Sequence, residues 1–307
     1  MTILVTGAGG FVGRHLVGKL LAAGHDVVAT DASGEGIPPG ARAVIGDLGD
    51  AALRRTAIAG GCDAVVHLAT VPGGSAEADP AASRRINIDA MYDLMEAAGA
   101  ARPGVRFVYA SSIAVYGAPL PSAGVDDATP LSPRMIYGGH KAMMETAVAM
   151  LSNRGVIDGV SLRLSGILAR PRGPSGMKSA FMSDLFHALA AGEAFTCPVS
   201  AGATIWAQSV DRCADNLVHA LTCDTALLSP TRAVTLPALR IAMGDLARAI
   251  AAACGVDAGL VSHAPDPALE AAFGAHPPLA TPAAERAGFA GDASLGNLVE
   301  SALKTLS

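Results

Sequence analysis

Short apolar runs alternate with longer stretches of helical spacing through the first half of the chain. Ile3–Thr6 reads as a strand that ends in a glycine-rich turn. Phe11–Ala22 then places Phe11, Leu16 and Leu20 along one helical face, with Gly24 expected to close the helix. Further strands are predicted at Val27–Thr30, Ala43–Ile45, Ala64–Leu68, Val105–Ala110 and Val160–Leu164. Helices are predicted at Ala51–Ala59, Ala81–Ala98 and Ile136–Leu151. Several of the strands are apolar without alternation, as expected when helices cover both faces of a sheet. Strand and helix alternating in this way predict an α/β fold with a doubly wound parallel sheet and right-handed crossovers.

After Leu168 the pattern changes. The segment 169–179 is rich in Pro, Gly and cations and reads as a loop. Mixed helices and short strands follow, then a Pro-rich segment at 264–282 and a final helix. The expected division is a sheet domain over 1–168 and a smaller, interleaved substrate-binding lobe mainly over 169–307. Parts of 204–260 are expected to rejoin the sheet, because Ala233–Leu236 reads as a strand.

Composition narrows the class. The chain has 307 residues, 51% hydrophobic and 16% charged, which excludes a disordered protein. A net charge of −5 leaves no broad basic field for nucleic acid or anionic lipid. The mean hydropathy of +0.40 raises the question of a membrane, but every long apolar stretch is broken by charges, Gly or Pro. The first residues lack the basic and apolar regions of a signal peptide, so a cytoplasmic protein is expected. The five Cys form no C-x-x-C pair and no cluster with zinc-ligand spacing, so reduced thiols and no metal are expected.

Candidate chemistry begins in the first turn. Gly7, Gly10 and Gly13 follow the first strand and open the first helix, with Phe11 and Val12 between them. There the backbone can approach a pyrophosphate, and the helix N-terminus favours its charge. Asp31 ends the second strand, where a carboxylate accepts hydrogen bonds from ribose hydroxyls and repels a 2′-phosphate. The expected cofactor is therefore NAD rather than NADP.

Tyr137 and Lys141 lie four residues apart, on one face of a predicted helix. With four Tyr and four Lys in the chain, that spacing is expected by chance only about 0.05 times. A nearby ammonium is expected to lower the phenol pKa, making Tyr137 a usable general base. Ser112, supported by Ser111, leaves the fifth strand at its carboxyl end, where its hydroxyl can hydrogen-bond a reacting oxygen. No G-x-S-x-G elbow surrounds either serine, which argues against a serine hydrolase. His67 is read as structural, and His140 receives no role.

These pieces together resemble the extended short-chain dehydrogenases/reductases, the NAD-dependent epimerase/dehydratase family. The resemblance is carried by TGAGGFVG, Asp31, Gly46–Leu48, His67–Ala69, Asn87, YASSIAVYG and YGGHK, and covers the first 165 residues in order. It implies a Rossmann-type fold, with Asp47 and Leu48 flanking the adenine and Leu68 and Ala69 lining the cofactor cleft. Asn87 and Leu164 would lie near the cofactor, Lys141 would hold the nicotinamide ribose, and Tyr137 would be the acid/base.

Later segments, such as RLSGILARPRGP and FTCPVSAGATIWAQSVDRCADNLVHAL, are similar to members that oxidise a small sugar acid. The expected reaction is oxidation of the 2-hydroxyl of a four-carbon sugar acid to the 2-oxo acid. Such a substrate needs a cationic or amide clamp. Candidates are Arg163, Arg170, Arg172, Lys178 and Arg212, with Ser75 at the pocket mouth and Gly166 lining the site. Two other readings stay open: an epimerase or dehydratase acting on a nucleotide sugar, and a cofactor-sensing protein without catalysis. The helices at 84–98 and 136–151 carry Met91, Leu94, Met95, Met143, Met144, Val148 and Leu151, more apolar residues than one buried face requires. The resemblance implies a homodimer that pairs these helices in a four-helix bundle.

Overall fold

The computed structural model describes residues 1–173 and 178–306, so residues 174–177 of the expected loop lie outside the described residues. The first half runs β1 (Thr2–Thr6), α1 (Phe11–Ala22), β2 (Asp26–Asp31), β3 (Arg42–Ile45), α2 (Ala51–Ile58) and β4 (Ala64–His67). Next come α3 (Gly73–Ala78), α4 (Pro80–Arg84), α5 (Met91–Ala101), β5 (Val105–Ser112), α6 (Ile136–Asn153) and β6 (Ile157–Leu164). The second half runs β7 (Gly166–Ile167), α7 (Phe181–Ala190), β8 (Phe195–Cys197), β9 (Thr204–Gln208), α8 (Val210–His219) and β10 (Ala233–Thr235). It closes with β11 (Leu239–Ala242), α9 (Met243–Cys254), β12 (Val261–His263), α10 (Pro267–Phe273), α11 (Pro282–Arg286) and α12 (Leu295–Leu303).

The seven-stranded sheet has the order β10-β6-β5-β4-β1-β2-β3, and all its pairings are parallel. The order reverses between β1 and β4, so a crevice opens beyond their carboxyl ends. One face of the sheet packs Val5, Val66 and Val160 against Leu16 of α1 and Leu217 of α8. The other packs Val65 and Phe107 against Met91, Leu94 and Met95 of α5 and Met144 and Val148 of α6. These buried rows explain why the strands read as uninterrupted apolar runs. They also correct the reading of surplus apolar residues on α5 and α6. Met91, Leu94, Met95, Met144, Val148 and Leu151 all belong to the chain's own core, leaving Met143 exposed.

The glycine-closed end of α1 forms as the spacing predicts. Gly24 has φ +78°, and the N–H groups of Gly24 and His25 bond the carbonyls of Leu21 and Leu20. The helix expected at Ala81–Ala98 forms without a break, but with a π turn in its middle. Asp79 caps α4, a π turn occupies Arg85–Ala90, and α5 continues from Met91. The wider turn carries Asn87, whose amide bonds the segment after β4. β5 runs on through Ser111 and Ser112, which pair with Arg163 and Leu164 of β6.

The second half builds a separate core from Phe186 of α7, Ile205 of β9, Leu246 of α9 and Leu298 of α12. β9 lies between β7 and the antiparallel β11, and β8 pairs with β12. The chain passes through this lobe and returns, because β10 pairs with β6 at the edge of the main sheet. A small cluster of Val115, Tyr116, Val125 and Trp206 joins the two parts. All five Cys are free thiols. Among the described residues no helix is long and apolar enough to cross a membrane. Nor, among them, does any group of three or more His, Cys, Asp or Glu have the arrangement to hold a metal ion.

One buried ion pair ties α6 to the sheet. Arg163 Nε and Nη2 donate to the Glu145 carboxylate at 2.7–3.2 Å, and Ser111 Oγ donates to it at 2.5 Å. Removing one partner of such a pair leaves a buried charge without compensation, at a cost of about 3–5 kcal/mol. Glu145→Ala is expected to lower unfolding stability by that amount, read as a shift in the urea midpoint.

Candidate active site

The crevice is floored by the ends of β1 and β4. Thr6 Oγ1 accepts hydrogen bonds from the N–H groups of Leu68 and Ala69, both at 3.2 Å. Gly7 follows with φ +68°, and a Cβ there would sit 2.8 Å from Ala69 N. A Cβ on Gly13 would lie 2.0 Å from Gly7 O, so only glycine lets α1 approach the turn this closely. Gly10 precedes α1 with no side-chain cap and no acidic residue in the first turn, so the free N–H groups face no carboxylate of their own. Phe11 and Val12, half-buried, begin the helix. This glycine cradle at an uncapped helix N-terminus fits a pyrophosphate.

Asp31, at the end of β2, accepts the Gly9 N–H at 3.0 Å and so lies beside the same turn. Asp47 accepts from Arg85 Nη2 at 2.8 Å and from the Gly49 N–H at 2.7 Å, and these bonds hold its carboxyl below the usual range. Leu48 is buried, and its carbonyl takes a bond from Arg54. Leu68 and Ala69 are half-buried along the crevice. Asn87 accepts from Val71 N–H and Thr70 Oγ1, and donates to Val71 O and Ser83 Oγ. Its amide therefore clamps the segment that continues from Ala69.

The reacting side is built where α6 begins. Glu77 of α3 accepts the Ile136 N–H at 2.7 Å, in place of a capping side chain on α6 itself. Gly138 allows α6 to press on the turn after β5, because a Cβ there would lie 2.4 Å from Ala114 O. Tyr137 thereby comes beside Ser112, near enough for the hydroxyl to favour the ionised phenol. Ser112 Oγ also accepts the Ala114 N–H at 3.1 Å, which fixes its rotamer. One turn further, Lys141 Nζ donates to Ala110 O at 2.6 Å and lies 5.4 Å from the Tyr137 ring centre.

Burial decides the electrostatics of this corner. It pushes Lys141 down to about 7, with Glu145 pulling the other way. It pushes the Tyr137 phenol up, against the opposing effects of the Arg170 guanidinium and the Ser112 hydroxyl. The expectation that Lys141 would lower the phenol is thus corrected. Burial outweighs the nearby charge, and the cation acting on Tyr137 is Arg170. His67 is buried and hydrogen-bonded to Thr6 at 2.9 Å, and burial pushes it down to about 3. His140 meets Ser83 Oγ at 3.0 Å.

The substrate candidates separate clearly. Ser111 gives its hydroxyl to Glu145, and Arg163 is held by Glu145 and Tyr116, so neither is directed to a ligand. Ser75 is exposed on α3. Leu164 is half-buried beside Ser112, and Gly166 pairs with Ala207. Arg172 faces Glu193 at 3.8 Å, and Lys178 is exposed. Arg212 lies 3.6 Å from Asp215, in a hollow with Ser209, Asp292 and Asn297. Of these cations Arg170, with Nε on Ile167 O at 3.3 Å, is the one whose guanidinium acts on the Tyr137 phenol. Glu145 escaped the sequence reading, although it lies one helical turn past Lys141 on the same face. Gln208 escaped it too, although it is the polar end of the otherwise apolar run TIWAQ.

A doubly wound sheet with this cradle, and with Ser, Tyr and Lys at the carboxyl end of β5, defines an NAD-binding enzyme working at CH–OH carbons. The model of the NAD dependent epimerase/dehydratase family matches residues 3–207, and the chain belongs to that family, the extended short-chain dehydrogenases/reductases. It is 34% identical to D-erythronate dehydrogenase of Cupriavidus necator over 83% of this chain and 82% of that one. It is 30% identical to D-erythronate dehydrogenase of Haemophilus influenzae over 80% of each chain. Among solved structures, a nucleoside-diphosphate-sugar epimerase from Agrobacterium tumefaciens superposes with a TM-score of 0.89 at 27% identity. That match covers 99% of this chain and 94% of the other.

Asp31 is expected to set the cofactor preference. Wild-type protein is expected to favour NAD over NADP in kcat/KM. Loss of a hydrogen bond to a charged group, about 1.5 kcal/mol or more, should raise the KM for NAD about tenfold in Asp31→Ala and narrow that preference. An unchanged NAD/NADP ratio in the variant would exclude this role.

Proposed function

We propose that this protein oxidises a hydroxyl of a small sugar acid, converting a D-erythronate-like 2-hydroxy acid to the 2-oxo acid. The observation that carries the reading is the convergence of Ser112, Tyr137 and Lys141 at the carboxyl edge of β5, with Lys141 Nζ on Ala110 O and 5.4 Å from the Tyr137 ring centre. The likeness to two D-erythronate dehydrogenases over most of the chain supports the substrate class.

Gly7, Gly10, Phe11, Val12 and Gly13 would hold the pyrophosphate, and Asp31 the adenosine ribose. Asp47 and Leu48 would border the adenine, while Leu68, Ala69, Asn87 and Leu164 shape the cleft. When bound, NAD supplies the acceptor for the hydrogen and electron pair that leave the carbinol carbon. Tyr137, as phenolate, takes the proton of the substrate hydroxyl. Ser112 donates a hydrogen bond to the same oxygen as it becomes a carbonyl. Lys141 holds the ribose, its Nζ fixed by Ala110 O beside the Tyr137 ring. Because burial raises the Tyr137 phenol, the base is increasingly available as pH rises. Oxidation should therefore accelerate toward alkaline pH.

We also infer a cytoplasmic homodimer. The free thiols suit a reducing compartment. Exposed Met143 and Met150 lie seven residues apart on one face of α6, with exposed Met135 just before the helix, which supports pairing through a four-helix bundle. Light scattering should give twice the chain mass, and Met143→Lys should shift it toward the monomer.

The decisive assay mixes enzyme and NAD with a panel of four- to six-carbon sugar acids and follows NADH. Tyr137→Phe should cut kcat by at least about a thousandfold while NAD affinity stays within about threefold. A net-redox-neutral conversion of nucleotide sugars, with no NADH from any acid, would favour an epimerase or dehydratase instead.

A further inference from the structure

Gln208 is fully buried, and neither its Nε2 nor its Oε1 has a hydrogen-bond partner among the described residues. A buried amide with both ends unpaired is costly, and in folded proteins such a group marks a place where something else bonds it. The Ser165 hydroxyl is buried and unpaired in the same way. Ser161 Oγ is also unpaired, but it lies deep in the sheet between Tyr109 and Ala233, away from the crevice.

Both groups lie beside the reacting corner in sequence and register. Gln208 sits beside Ile167 in register, three residues beyond Leu164, which itself lies beside Ser112. Trp206, two residues earlier on β9, shares the face of Gln208. It packs on Val115 and Tyr116, with Ile113 and Ala142 against the same cluster. These belong to the turn after Ser112 and to the helix that carries Tyr137. Ser165 is the single residue between β6 and β7, next to Leu164, the register partner of Ser112. Arg170 bonds the carbonyl of Ile167, the register partner of Gln208, and its guanidinium acts on the Tyr137 phenol.

We propose that Gln208, Ser165 and Arg170 form the subsite that recognises the carboxylate and neighbouring hydroxyls of a short polyhydroxy acid presented to Tyr137. The guanidinium takes the carboxylate, for which its planar fork is suited. The Gln208 amide offers one donor end and one acceptor end, which matches a hydroxyl that both donates and accepts. Ser165 offers the same pair of functions from a single atom. This assignment rests on the sugar-acid reading and specifies which end of the substrate these residues hold.

The test uses full-length protein with NAD, with D-erythronate as the acidic probe and erythritol as its neutral counterpart. Gln208→Leu removes the amide at nearly constant volume, and Gln208→Met serves if the leucine variant does not fold. The substitution should raise both KM and calorimetric Kd for D-erythronate by at least about tenfold, with the KM for NAD within about twofold. Arg170→Met should weaken D-erythronate by a similar factor and leave the affinity for erythritol unchanged. A variant at position 208 that melts higher while binding D-erythronate as before would overturn the proposal. That outcome marks a strained core amide and nothing more. If wild-type protein oxidises no sugar acid, the functional reading fails, and the subsite is judged by calorimetry alone. Absence of D-erythronate binding to the wild type would then overturn it as well.

Discussion

The arrangement of the catalytic corner depends on the carboxylate of Glu145. It gathers Ser111 from β5 and Arg163 from β6 onto α6, inside the protein, where ionic hydrogen bonds are strong and misplacement is expensive. Arg163 extends the set to Tyr116, whose hydroxyl meets Thr235 on β10 at 2.6 Å. Four elements are thereby fixed in register around one charge. Lys141 lies one turn before Glu145 and Tyr137 two turns before it, so their positions over the end of β5 follow from that anchor.

The same burial that strengthens the anchor shapes the chemistry around it. His67 is held neutral, Lys141 sits near the midpoint of its titration in neutral solution, and the Tyr137 phenol keeps its proton more firmly than in water. A corner of this kind has little charge of its own. Its acid–base behaviour is therefore sensitive to the charged groups beside it, the Glu145 carboxylate acting on Lys141 and the Arg170 guanidinium on Tyr137.

The sheet was readable because its strands carry a signal that burial on both faces makes unmistakable, as in AVVH and LVT. The glycine turn was readable from its place between a strand and a helix, and Tyr137 with Lys141 from a spacing that chance seldom produces. Other features were hidden for physical reasons. The π turn around Asn87 reflects hydrogen bonds to a segment sixteen residues away in sequence, which no local pattern encodes. Arg163 read as a substrate clamp because a sequence cannot show that Glu145 already neutralises it. The amide of Gln208 gains meaning only once the absence of partners around it can be seen.

The return of β10 to the edge of the main sheet has a consequence for how the chain can be divided. A fragment ending at residue 168 would leave the hydrogen-bonding edge of β6 bare from Ser161 to Arg163, a template for pairing between molecules. The nucleotide-binding half is therefore not an autonomous module that can be grafted elsewhere. Its last strand arrives only after the first elements of the lobe, α7 to β9, have been synthesised, so sheet completion is a late, long-range event in folding.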